Sequence, residues 1–242
     1  MYELVYSFLF FLVAISYSSV GHGGASGYLA ILSLFLNNDK EISSTSLCFN
    51  LAVSLIGFFR FHSKHETNWN FSLPLLIPSM TTSFLASSFS FPSNVVRLIM
   101  GLTLLFSGSR ILWESSLVVK NTQEPKLFIK LIIGSIIGFL SGIIGVGGGI
   151  FLSPVILILQ WKTLKESAST VAIFIFLNSF TGVLGRIYGN KFMITESISY
   201  ILPAIFGAIL GSYLGSSKLT ENLLRKILSI IILFAGIKLL IK

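Results

Sequence analysis

Two short runs interrupt the apolar stretches of this 242-residue sequence: Gly21-His22-Gly23-Gly24-Ala25-Ser26-Gly27 and Gly145-Val146-Gly147-Gly148-Gly149. Each lies in a stretch free of Asp, Glu, Lys and Arg, from Leu4 to Asn38 and from Leu131 to Trp161. Glycine weakens a helix and accepts positive backbone dihedrals without strain. A chain that breaks there and resumes as a half-helix presents unpaired N–H groups. That end carries partial positive charge and suits an anion. The competing reading is close helix packing, for which small residues are ordinary in membranes. Gly207, Gly211 and Gly215, four apart, fit packing. For the two breaks both readings stand.

Other polar groups near the breaks can complete a site. Thr45, Ser46 and Asn50 follow the first; Ser169, Thr170, Asn178 and Ser179 follow the second. Each can serve an anion oxygen or a neighbouring carbonyl. His22 can donate to an anion, titrate, or sit neutral on backbone. Arg97, Arg225 and Arg186 can draw anions to a vestibule or anchor span ends. The candidate binding set is Gly21, His22, Gly23, Gly24, Thr45, Ser46, Gly145, Gly147, Gly148, Gly149, Ser169, Thr170 and Asn178. Gly24-Ala25-Ser26-Gly27 matches a serine-hydrolase string, but a nucleophile needs a positioned base. His22 shares its segment, so no enzyme is expected. No nucleotide-binding or HExxH motif occurs. The single cysteine, Cys48, excludes an intramolecular disulfide and a cysteine-cluster metal site. No cofactor or metal is expected.

These residues need elements to hold them, and composition says which. Hydrophobic residues make up 53% and charged residues 11%. Soluble domains carry about 25% charged residues, so a soluble or disordered chain is excluded. The net charge of +8 is scattered between apolar runs, which argues for lipid-facing anchors rather than nucleic acid. No basic segment precedes the first apolar run, so that run is expected to stay as a membrane helix.

Charges delimit eight expected spans. The first and fifth are the broken stretches; the others are Ser43–Phe61, Leu73–Phe91, Asn94–Trp113, Ser167–Tyr188, Ser197–Ser216 and Asn222–Ile241. The halves align at an offset of 124: Gly21, Gly23 and Gly24 fall on Gly145, Gly147 and Gly148, and Thr45-Ser46 on Ser169-Thr170. Further on, Pro78 matches Pro203, Arg97 matches Arg225, and Arg110 matches Lys238. The expected fold is an all-α integral membrane protein of two four-span repeats, 1–114 and 127–242, joined by a cytoplasmic linker at 115–126. An even span count gives parallel repeats. Arg60, Lys64, Arg110, Lys120, Lys126, Lys130, Arg186, Lys191, Lys238 and Lys242 then share one side. Lys40, Arg97, Lys162, Lys165, Lys218, Arg225 and Lys226 share the other. The bias makes the first side, with both termini, cytoplasmic. A re-entrant turn at each break would change this count.

None of the nine acidic residues lies deep in a clear span; Glu114, Glu166 and Glu196 sit near ends. Cation pathways often use an intramembrane carboxylate, so its absence favours an anion.

Residues 142–154, Gly-Ile-Ile-Gly-Val-Gly-Gly-Gly-Ile-Phe-Leu-Ser-Pro, followed by Ala168-Ser169-Thr170 and Asn178-Ser179-Phe180-Thr181-Gly182, resemble the TauE/SafE sulfite exporter family over nearly the whole chain. The resemblance implies an inner- or plasma-membrane transporter with two related halves. It implies a small-anion cargo such as sulfite or a sulfonate, and a site at the glycine motifs. The first half departs from the pattern at His22, Ala25 and Ala30, where the second has Pro154. The expected function is secondary transport of a small anion. An anion channel, a cation-coupled importer of a sulfur compound, and a membrane interaction protein are the alternatives. The lipid bilayer and a small anion are the expected partners, with homo-oligomers compatible.

Overall fold

The computed structural model describes residues 2–32, 36, 38–89, 98, 101–102, 104–106, 108–109, 112, 124–194 and 196–241. Among these there are helices and no strand. The main elements are α1 (Tyr2–Ser18), α2 (Ala25–Leu32), α3 (Asp39–His62), α4 (Trp69–Ser88), α5 (Leu127–Ile144), α6 (Gly149–Ile158), α7 (Leu164–Tyr188), a 3-10 turn (Glu196–Tyr200), α8 (Ile201–Ser217) and α9 (Glu221–Ile241). The expected fourth span, with Pro92, Arg97 and Arg110, and most of the linker lie outside the described residues or at their isolated positions.

Among the described residues, four segments are long and apolar enough to cross a bilayer: Lys40–His62, Leu127–Ile144, Leu164–Tyr188 and Glu196–Ser217. Their surroundings match that solvent. Leu4, Phe128, Phe106, Phe206 and Ile230 are exposed, while Ser46, Ser79, Ser83, Ser153 and Ser179 are buried. This inverts a soluble protein's pattern. Helices begin earlier than the apolar runs because polar residues cap them. The Asn38 side chain accepts from Lys40 N, the Asn68 side chain from Phe71 N, and Thr163 with Glu166 forms a reciprocal capping box.

Glycine stripes set the helix directions. Gly207, Gly211 and Gly215 of α8 press on the backbone of Phe11, Ile15 and Ser19, so α1 and α8 run parallel. At its start α3 meets the residues before α8, Met193 N donating to Ser44 Oγ at 3.4 Å. At its end Arg60 reaches Ser217 and the Tyr213 ring. Hence α1, α3 and α8 share one direction, from an end we term proximal to a distal end. The segment between α1 and α3 must bring the chain back. In the other group, Gly134, Gly138 and Gly142 of α5 press on Leu75, Ser79 and Ser83 of α4. Ser72 meets Thr170, and Gly185 meets Phe84. These helices run distal to proximal, and the segment between α5 and α7 returns.

Helices α3 and α7, matched in sequence at the offset of 124, run antiparallel. Asn50 meets Ser179, Gly57 faces Ala172, and Gly182 faces Leu47. The expected parallel orientation is therefore corrected: the second half is inverted relative to the first. Each break reverses the chain instead of letting it continue, so an even span count does not imply a shared orientation. The sorting of basic residues changes with it. Lys40 lies at the proximal end with Arg186 and Lys191, and Lys162, Lys165 and Lys218 lie at the distal end with Arg60, Lys64, Lys126 and Lys130.

Candidate functional site

The first break closes α1 with a tight turn. Gly21 N donates to Ser18 O at 3.1 Å and His22 N to Tyr17 O at 2.9 Å. Gly21 and Gly24 have φ of +78° and +95°. The second break has Gly145, Gly147 and Gly148 at φ of +82°, +71° and +80°. Gly145 ends α5, its N–H donating to Ser141 O at 2.7 Å, and Gly148 immediately precedes α6. These dihedrals strain any residue with a Cβ, which is why the runs are glycine.

The breaks enter from opposite ends and meet at α3 and α7. A Cβ on Gly23 would strike the Asn50 carboxamide and reach 3.0 Å from Ile175 Cγ2. A Cβ on Gly147 would lie 2.6 Å from Asn50 Nδ2, 2.8 Å from Ser179 Oγ and 2.9 Å from Ile175 Cγ2. Two repeat-equivalent glycines thus face one amide and one isoleucine. Asn50 Nδ2 donates to Val146 O and Ser179 Oγ, each at 3.3 Å. Its Oδ1 is buried without a partner.

His22 links the halves in a second way. Its Nδ1 lies 3.1 Å from Val20 O and its Nε2 lies 3.2 Å from Ser153 Oγ, on the first turns of α6. With Nδ1–H donating to the carbonyl, Nε2 accepts the serine hydroxyl. Ser26, by contrast, pairs with the Tyr17 hydroxyl at 2.7 Å.

The remaining expected residues divide by partner. Ser46 Oγ donates to Ala25 O at 3.0 Å, tying α3 to the start of α2. Gly21 packs on Ala168, Gly24 on Tyr28, Gly148 on Phe174 and Ser141, and Gly149 on Ile175. Thr45 and Ser169 are fully buried, and Ser169 Oγ has no partner. Thr170 and Asn178 turn to α4. Thr170 Oγ1 meets Ser72 Oγ at 2.9 Å; Asn178 Oδ1 accepts from Ser79 Oγ at 2.7 Å, and its Nδ2 donates to Phe174 O at 2.8 Å. The amide between the breaks is Asn50, and Ile175, Ser153 and Arg186 also border them. Asn50 and Arg186 are already among the polar candidates of the sequence; Ile175 and Ser153 emerge as neighbours only on folding.

Among the described residues the interior carries no carboxylate. The buried polar residues are hydroxyls, amides, His22, Lys130 and Arg186, with no Asp or Glu among the described residues. At the proximal end the Lys191 ammonium is held below the usual lysine range, first by partial desolvation and then by the cations Arg186 and Lys40. No group of three or more metal-ligating side chains occurs among the described residues.

The model of the family described as Sulfite exporter TauE/SafE matches residues 6–239. Probable membrane transporter protein y4hK of Sinorhizobium fredii is 34% identical over 235 residues, covering 96% of this chain and 95% of its own. Probable membrane transporter protein MJ0441 of Methanocaldococcus jannaschii is 27% identical over 227 residues, covering 90% and 84%. No solved structure matches the chain. A family match over nearly the whole length, with two membrane transporters among its relatives, identifies the chain as a member of the TauE/SafE family of membrane transporters.

Proposed function

We propose that this transporter moves a small anion by alternating access, with sulfite, a sulfonate or a related organosulfur anion as cargo and export as its direction. The observation that carries the reading is the interior just described. Two glycine breaks converge on Asn50, hydroxyls surround them, and the buried described residues include cations but no carboxylate. Broken helices meeting between inverted repeats allow one half to rock against the other around a fixed site. The working site comprises Gly21, His22, Gly23, Gly24, Thr45, Ser46, Gly145, Gly147, Gly148, Gly149 and Ser169, with Asn50 between them. Thr170 and Asn178 hold α4 against that centre. The basic-rich distal end lies on the cytoplasmic side of the inner or plasma membrane, which puts the start of α1 outside.

Proteoliposome flux with sulfite, ethanesulfonate, sulfate and thiosulfate tests the reading. Saturable flux of at least one of them is expected; robust cation flux with none of them would overturn it. One observation favours a second reading, cation-coupled import: the unpaired Asn50 Oδ1 is an acceptor for a sodium ion or a proton donor. Uptake that collapses when the sodium or proton gradient is removed would select it.

A further inference from the structure

A buried guanidinium stands beside the second break. Arg186, in the last turn of α7, is only 6% exposed. Its Nη1 donates to Ser87 Oγ at 3.3 Å and to Gly182 O at 3.5 Å. N–H···O bonds normally span about 2.7–3.2 Å, so both are long. Its Nη2 lies against Gly145, where a Cβ would come within 2.8 Å, and Ser43 backs the same glycine. No carboxylate pairs with Arg186 among the described residues, and the ammonium groups that share its end, Lys40 and Lys191, carry the same sign. Burying an unpaired charge is costly, and such a charge persists where something negative answers it.

The repeated fold does not require this arginine. At the offset of 124 its counterpart is His62, whose Nδ1 pairs with Thr67 Oγ1 at 2.9 Å. The counterpart of Gly145 is Gly21, which packs on Ala168 rather than on a cation. The carbonyl ends of α5 and α7 answer part of the charge, but their dipoles are common to both halves. The cation is specific to one.

We propose that Arg186 is the oxyanion-recognition residue of this transporter, gripping two oxygens of a sulfite- or sulfonate-like group beside Gly145. The proposal rests on the anion-transport reading above. A guanidinium presents a planar fork that matches two oxygens on one central atom, which chloride cannot offer and an ammonium cannot grip. Ser87, already in contact with Nη1, holds the fork in place.

The test uses full-length protein in proteoliposomes for sulfite flux, and the same protein in detergent for thermal unfolding with and without sulfite. Arg186→Lys keeps the charge but loses the fork. It is expected to raise the apparent KM for sulfite about 10- to 100-fold with little change in maximal rate, and to narrow the preference for sulfite over chloride. Arg186→Gln is expected to lose the upward shift of the unfolding midpoint that sulfite gives the wild type. Ser87→Ala is expected to raise KM several-fold. An unchanged KM in Arg186→Lys, or full sulfite stabilisation in Arg186→Gln, overturns the proposal. If neither arginine variant inserts, an unchanged KM in Ser87→Ala overturns it. Wild-type protein that neither carries nor is stabilised by any oxyanion fails the anion reading itself, a result separate from these.

Discussion

His22 Nε2 lies 3.2 Å from Ser153 Oγ, so a residue of the first glycine break is bonded to the half-helix that follows the second. At the offset of 124 these two positions exchange with Val146 and Leu29. The polar link therefore exists once, and its symmetry-related counterpart is apolar. It joins the two halves at the place where rocking would separate them.

Removing either partner leaves a buried polar atom unsatisfied. His22→Ala and Ser153→Ala are each expected to lower stability by about 1–3 kcal/mol and to slow flux. The double variant should cost less than the two singles added, with a coupling of about 0.5–3 kcal/mol. Chemical unfolding of the four proteins in detergent measures this. Strict additivity would show that the contact does not operate.

Gly147→Ala places a methyl group against Asn50 Nδ2 and Ser179 Oγ at a φ of +71°. Loss of flux in protein that still reaches the membrane is expected. Gly57→Ala is the control, because its Cβ would meet only the Ala172 methyl at 3.8 Å. That variant should transport normally and gain roughly 0.5–1 kcal/mol from helix propensity. Equal losses at both positions would remove the special role of the breaks.

The inverted arrangement puts Lys64 and Lys191 at opposite ends. Single cysteines at these two positions, in a Cys48→Ala background, should react with an impermeant maleimide from opposite faces of the membrane. Labelling from one face would restore parallel repeats.

Close helix approach makes a further demand. A Cβ on Gly138 would strike Ser79, and one on Gly211 would strike the Ile15 backbone. Gly138→Val and Gly211→Val should each destabilise by about 1–3 kcal/mol through overpacking, as read by thermal unfolding in detergent.

The sequence makes the breaks legible because glycine density reports a backbone need that other residues meet only with strain. Gly145, Gly147 and Gly148 all have positive φ. The packing stripe Gly207, Gly211 and Gly215 is equally visible, since its spacing is that of one helix face. Direction is harder to read. A run such as Leu4 to Asn38 has the same composition whether the chain continues after Gly24 or turns back, so charge counting puts Arg186 and Lys191 beside Arg60 and Lys64 when they share the end of Lys40. An amide's depth within a span is legible in the sequence, but its partner is not. Depth favours Asn178, whose groups are taken by Ser79 and Phe174, over Asn50, which touches both breaks. Partner choice of this kind arises only when α3 meets α7.

The first break rests on Ala168 and Ile175, and its His22 on Ser153. These residues leave the ribosome after most of the chain. Until α6 and α7 are made, the N-terminal hairpin keeps its own turn bonds and its contacts to α3 but lacks those from the second half. A truncation that removes α6 and α7 should therefore leave residues 19–24 open to protease.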